Sequence, residues 1–171
     1  MRAWLIEFYT RYNPCDDARR WLKAGDYPSL QAAWNACQRG DWMLWVWAKL
    51  DGGEPYSDTR RPLVGAAIEC AALALPIYEA QFPGDKRVRN CLDLCARWAA
   101  GEQVNHDELV AAAAAYAAAA DYAAYAAADY AAAAAGNADV SARPETLATC
   151  AEIVRRWRPV APLCEAENAD A

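Results

Sequence analysis

Apolar side chains recur along this chain at intervals of three and four, and the runs are broken by Pro, Gly, Asn and Asp rather than by the paired turns of hairpins. Trp4 to Tyr12 is the first such block and stops at Asn13-Pro14. Cys15 to Ala24 follows, with acids first, bases later and Gly25 as its predicted stop, in accord with the helix dipole and the left-handed C-terminal cap. Ser29 is placed to cap a helix over Leu30 to Gln38, which Arg39-Gly40 should end. Asp41 then caps Trp42 to Leu50, where Trp42, Trp45 and Val46 share one face and Met43, Trp47 and Leu50 another. So short an apolar run also fits a buried strand, but its capped entry and helical neighbours favour a helix.

The second half continues the pattern. Arg61-Pro62 opens a long apolar helix that should kink or end at Pro76, and Pro83-Gly84 closes that unit. Asp85 caps Lys86 to Ala100, with Val88, Cys91, Leu92, Cys95 and Trp98 in a stripe, and Gly101 stops it. Asn105 or Asp107 starts a low-complexity segment of Ala, Tyr and Asp that runs to Gly136-Asn137. As a helix it would be roughly 40 Å long. Steps of 100° put Ala113, Ala117, Ala120, Ala124, Ala128, Ala131 and Ala135 on one strip that a neighbouring helix can approach closely. Asp121, Tyr125 and Asp129 form a stripe beside it, with Tyr122 adjacent in the chain. The last helix, Pro144 to Arg158, should bury Leu147, Cys150, Ile153, Val154 and Trp157. The expected fold is therefore all-α: a compact single-domain array of about seven helices over residues 1–160, with one long Ala-rich helix towards the C-terminus and a loose acidic tail over 161–171.

Composition narrows the partners. Much of the 56% hydrophobic content is alanine, so the eight Trp and nine Tyr must supply much of the buried area. The net charge of −6 is uneven: residues 1–105 carry 13 basic and 13 acidic side chains, residues 106–171 carry 4 and 10. No Lys or Arg occurs from Trp98 through Ala142, which argues against direct nucleic-acid binding, a task that leans on phosphate neutralisation. A basic protein surface suits this half better. Met1 to Tyr12 lacks the cleavage site of a secretory signal, so a cytoplasmic protein is expected. Asp121 and Asp129 interrupt the apolar stretch from Leu109 to Ala135, which argues against a membrane span there.

Candidate chemistry is sparse. Seven Cys in an odd, widely spaced set read as reduced thiols, and a zinc site is disfavoured because Cys91 and Cys95 sit at i, i+4 and His106 is the sole histidine. His106 has no nucleophile motif beside it. Asp121 and Asp129, about 12 Å apart along a helix axis, stand too far apart for a two-carboxylate glycosidase pair. Gly52-Gly53 lacks the Lys of a phosphate loop, and Arg39-Gly40-Asp41 reads as a turn rather than an adhesion tripeptide. The Trp cluster at 42–47 reads as core before it reads as a ligand pocket. No catalytic residue, cofactor or metal is expected.

The stretches SLQAAWNACQRGDWMLWVWAKL (Ser29 to Leu50), ECAALALPIYE (Glu69 to Glu79), the Ala/Tyr/Asp segment after HDELV and the ending CAEIVRRWRP resemble the Imm-5-like immunity proteins of bacterial polymorphic-toxin loci and of phages. The block from Ala33 to Trp42 is the most specific of them. The resemblance implies an all-helical, non-catalytic domain that binds a toxin and blocks it. Carriage by phages adds a second reading, an anti-CRISPR-like inhibitor of a bacterial defence nuclease or effector complex. Either role needs an acidic, rigid surface for a basic partner. Asp121, Tyr122, Tyr125 and Asp129 are the expected partner-binding residues. A third reading, from a different class, is self-association into a homodimer through the alanine strip.

Overall fold

In the computed structural model of the chain, residues 2–50, 57–112 and 142–162 are described. Every regular element among them is helical. They fall into two compact units: Met1–Pro55 with Leu147–Ala171, and Tyr56–Thr146.

The first unit holds α1 (Ala3–Tyr12), α2 (Asp16–Gly25), α3 (Leu30–Ala36) and α4 (Gly40–Leu50). Local chemistry sets most of their ends. Asn13, in the left-handed region at φ 48°, closes α1 by donating its backbone N–H to the Tyr9 carbonyl at 3.2 Å. Ser29 caps α3, its hydroxyl accepting from the Ala32 N–H at 3.2 Å. Two predicted boundaries move. Gly25 is the last residue of α2, and the left-handed position passes to Asp26 (φ 45°), whose carboxylate accepts from Arg2 Nε at 3.1 Å. Gly40 does not end α3, which stops at Ala36; it is the first residue of α4.

The reason lies more than 100 positions away. From Leu147 on, the C-terminal helix α8 (Ala142–Trp157) belongs to this unit and crosses Gly40 so closely that a Cβ there would meet the Cys150 carbonyl carbon at 2.6 Å and the Ala151 nitrogen at 2.7 Å. Only glycine lets the two backbones approach this far. Cys150, Ala151, Ile153 and Val154 are buried on that face. Trp157, expected among them, is 40% exposed: it is the last residue of the helix, and the buried stripe closes one turn earlier at Val154.

Polar contacts then lock residues 155–161 to α3 and its exit. Arg155 Nη1 donates to the Cys37 carbonyl at 2.6 Å and the Trp34 indole N–H to the Arg158 carbonyl at 3.1 Å. The Ala161 N–H donates to Gln31 Oε1 at 2.7 Å. The Arg158 guanidinium lies 5.3 Å from the Trp47 ring centre, a cation–π contact over a side chain that is only 1% exposed. Trp34, Met43 and Trp47 are the heart of this core.

The second unit, as described, holds a short 3₁₀ turn (Asp58–Arg60), α5 (Arg61–Gln81), α6 (Arg87–Ala99) and the start of α7 at 106–112. α5 and α6 pack on each other as a helical hairpin. α5 continues through Pro76 instead of ending there; Pro76 and Ala72 both lie on the exposed side, where water can reach the carbonyl left without a donor. Gly101 (φ 94°) stops α6 as expected: its N–H reaches the Trp98 carbonyl and the Glu102 N–H reaches Arg97, both at 3.0 Å. Asn105 starts α7, its side-chain oxygen accepting from the Asp107 N–H at 2.8 Å. The stretch Asp58–Gln81 is long and apolar enough to cross a bilayer, with a mean hydropathy of 1.5 in its best window. Its helical partner α6 carries exposed Arg89, Asp93 and Arg97, the surface of a helix that faces water.

Gly40→Ala should lower the unfolding free energy by about 1–3 kcal/mol, the usual cost of overpacking, measured by urea denaturation; an unchanged midpoint would show that α8 does not sit on Gly40.

Candidate functional site

Asp121, Tyr122, Tyr125 and Asp129, the alanine strip, and the tail beyond Pro162 all lie outside the described residues. His106 is exposed at the start of α7. No group of three or more potential metal ligands occurs among the described residues.

What the described residues do form is a cavity of about 580 Å³ in the first unit, bounded by α1 to α4 and open to solvent. Its buried lining includes Phe8, Ala18, Leu22, Ala33, Cys37 and Met43. Trp21, Trp42 and Trp45, each half-buried, form its walls, while Asn13, Cys15 and Asp41 are exposed at its rim. The Trp-rich block is thus divided by the helical period: Trp47 is buried away from the cavity, Trp42 and Trp45 form part of the cavity wall, and Met43 is buried but lines the cavity as well. The sequence favours core over ligand pocket for this cluster, whereas the structure uses it for both. The three-residue spacing of Trp42 and Trp45, offset from Met43 and Trp47, was the signal for two faces.

The walls are held by aromatic and ionic contacts. Trp21 packs on Trp42 with ring centres 5.9 Å apart and on Tyr27 at 4.7 Å. Arg39 lies 4.3 Å from the centre of the Trp42 ring and donates twice to Asp41, from Nε at 2.8 Å and from Nη2 at 2.6 Å. A planar guanidinium clamped at one edge by a carboxylate and stacked on an indole has little freedom left. Partial burial works to raise the Asp41 pKa, but the hydrogen bonds and charge of Arg39, with backbone N–H donors, outweigh it and hold the carboxyl below the ordinary 3.8. Burial pushes the Cys37 thiol above its ordinary value despite the nearby Arg155 and Arg39, so it is an inert neutral group that donates to the Arg39 carbonyl at 3.6 Å.

The second unit presents a compact charge cluster at the α5–α6 turn. Glu79 accepts two hydrogen bonds from Arg89, both at 2.6 Å, and lies 3.8 Å from Lys86. Asp85 accepts from the Tyr78 hydroxyl at 2.8 Å and from the Arg87 backbone N–H at 2.9 Å, and the Arg87 hydrogen bonds hold its carboxyl far below the ordinary range. These pairs lie on the surface, where each contributes modestly to stability but fixes the turn between the helices.

A family model described as "Imm-5 like putative immunity protein" matches residues 56–149, more than half of the chain and nearly the span of the second unit. No curated protein and no solved structure matches the chain. Of the stretches that suggested the same family by resemblance, Glu69 to Glu79 and the Ala/Tyr/Asp segment fall inside the matched residues. The block from Ser29 to Leu50 and the ending after Thr149 fall outside them, so the most specific-looking motif is not what the family model matches.

Because the folded-state pKa of Asp41 is depressed, its contribution to stability is present above the ordinary value of 3.8 and is lost as pH falls through the lower folded value. Asp41→Asn should therefore destabilise the protein at neutral pH by an amount that vanishes in acid, and NMR titration of the Asp41 carboxyl should show a pKa that rises towards the ordinary value in Arg39→Ala. A carboxyl that titrates identically in both proteins would show that the pair does not form.

Proposed function

Since the chain belongs to the Imm-5-like immunity protein family, we propose that it binds a partner protein, a toxin, and neutralises it by occupying a basic surface, without catalysis. The family match over residues 56–149 is the observation that carries this reading. Charge supports it: the acidic excess of the chain is confined to residues 106–171, and the first acidic side chains of that half fall within the matched span. An acidic surface opposite a basic one speeds encounter and disfavours like-charged competitors.

In this reading Asp121, Tyr122, Tyr125 and Asp129 contact the partner. Tyr supplies contact area with little rotamer entropy to lose, and the carboxylates supply the complementary charge. All four lie within the residues matched by the family model. An inhibitor of a bacterial defence nuclease would use the same surface chemistry, and the identity of the captured partner separates the two roles. The protein works in the cytoplasm, where such a target would be met.

Affinity capture from the lysate of the native host, in low and moderate salt, should recover a toxin as a salt-sensitive complex. Reversing Asp121 and Asp129 to Lys should weaken it at least tenfold, about 1.4 kcal/mol. A defence nuclease in its place would move the protein to the second role, and an affinity unchanged by the reversals would remove these four residues from the interface.

A further inference from the structure

We propose that the cavity bounded by α1 to α4 binds a small, neutral, planar aromatic molecule that carries a hydrogen-bond acceptor at one edge. This goes beyond the protein-binding function, for the cavity is lined by residues between Phe8 and Val46, none of them within the family-matched span.

Size is the first argument. Protein interiors seldom keep voids much larger than a water molecule, because unfilled space forfeits packing energy. A volume of about 580 Å³ among four helices is in the range of small-molecule sites, which run from about 300 to 1,000 Å³.

Preorganisation is the second. Trp42 is held by two contacts, the Trp21 ring tilted by 60° with ring centres 5.9 Å apart and the Arg39 guanidinium at 4.3 Å, and Arg39 is itself tied to Asp41. Flat surfaces held in place before a ligand arrives lose little entropy on binding, and they match a flat ligand.

Charge and polarity then select among flat ligands. The buried lining is hydrocarbon, aromatic and thioether together with the neutral Cys37 thiol, with no ionised group in it. At the rim Arg39 and Asp41 neutralise each other, so an ionic ligand would lose its hydration without meeting an unmatched counter-charge. The pair engages Nε and Nη2 of Arg39, which leaves the N–H groups on Nη1 as donors for a carbonyl-type acceptor at the edge of the ligand.

The test is ligand-observed ¹⁹F NMR with 4-fluoroacetophenone, a neutral planar ketone, titrated into the full chain. The expected result is saturable binding at one site, at least tenfold weaker in Arg39→Ala and lost in Ala18→Phe, whose added ring fills the cavity. The cation 4-fluorobenzylammonium and the anion 4-fluorobenzoate should bind at least tenfold more weakly than the ketone. Circular dichroism establishes that each variant is folded; should Ala18→Phe fail to fold, Arg39→Ala and the charged analogues decide. Absence of saturable binding, undiminished binding in Arg39→Ala, or equal binding of the charged analogues would overturn the proposal. Any of these would leave the protein-binding function standing, because that is read from capture of a protein partner.

Discussion

The first unit depends on the approach of α8 to Gly40. Two helix backbones separated by more than 100 residues in sequence meet where neither has room for a side chain on α4, and the buried face of Cys150, Ala151, Ile153 and Val154 follows from that contact. Once α8 is seated, Arg155 reaches the Cys37 carbonyl, and the chain beyond Trp157 is in position to accept from Trp34 and to donate to Gln31. Each of these bonds satisfies a group near the end of a short helix, where backbone and indole donors and acceptors would otherwise face the core unpaired. α3 has only seven residues, far below the length at which an isolated helix is stable, so its order comes from these tertiary contacts.

That closure has a consequence on the opposite side of α4. With Met43 and Trp47 buried, the helical period leaves Trp42 and Trp45 half-buried in the wall of a cavity, where Trp21 and Arg39 hold Trp42 in place. The same rigid block therefore serves as core on one face and as a concave aromatic surface on the other. The family match lies instead on residues 56–149, built around the α5–α6 hairpin and its charge-paired turn. The chain thus joins a unit that carries its family membership to one assembled from its two ends.

Much of the helical layout was legible because the signals are local. Ser29, Asn105 and Gly101 each act on backbone groups within a few residues of themselves, so their roles can be read from spacing alone. The family, too, was legible by resemblance, although the motif from Ala33 to Trp42 lies outside the residues that establish it. What sequence spacing misplaced was non-local. Gly40 looks like a helix stop until α8 is set against it, and Gly25 looks like the left-handed cap until Asp26 is seen paired with Arg2. Trp157 looks buried by period, yet as the last residue of α8, one turn past Val154, it is 40% exposed. The cavity depends on four helices at once, and no single period along the chain announces it.

The dependence of the first unit on α8 is tested most directly by native-state hydrogen exchange followed through increasing urea. Amides of α8 from Leu147 to Trp157 should lose protection together with those of α3 and α4, in a cooperative opening distinct from that of α5 and α6. Exchange of these α8 amides at the rate of a free chain while α3 and α4 stay protected, or in step with α5 and α6 alone, would contradict it.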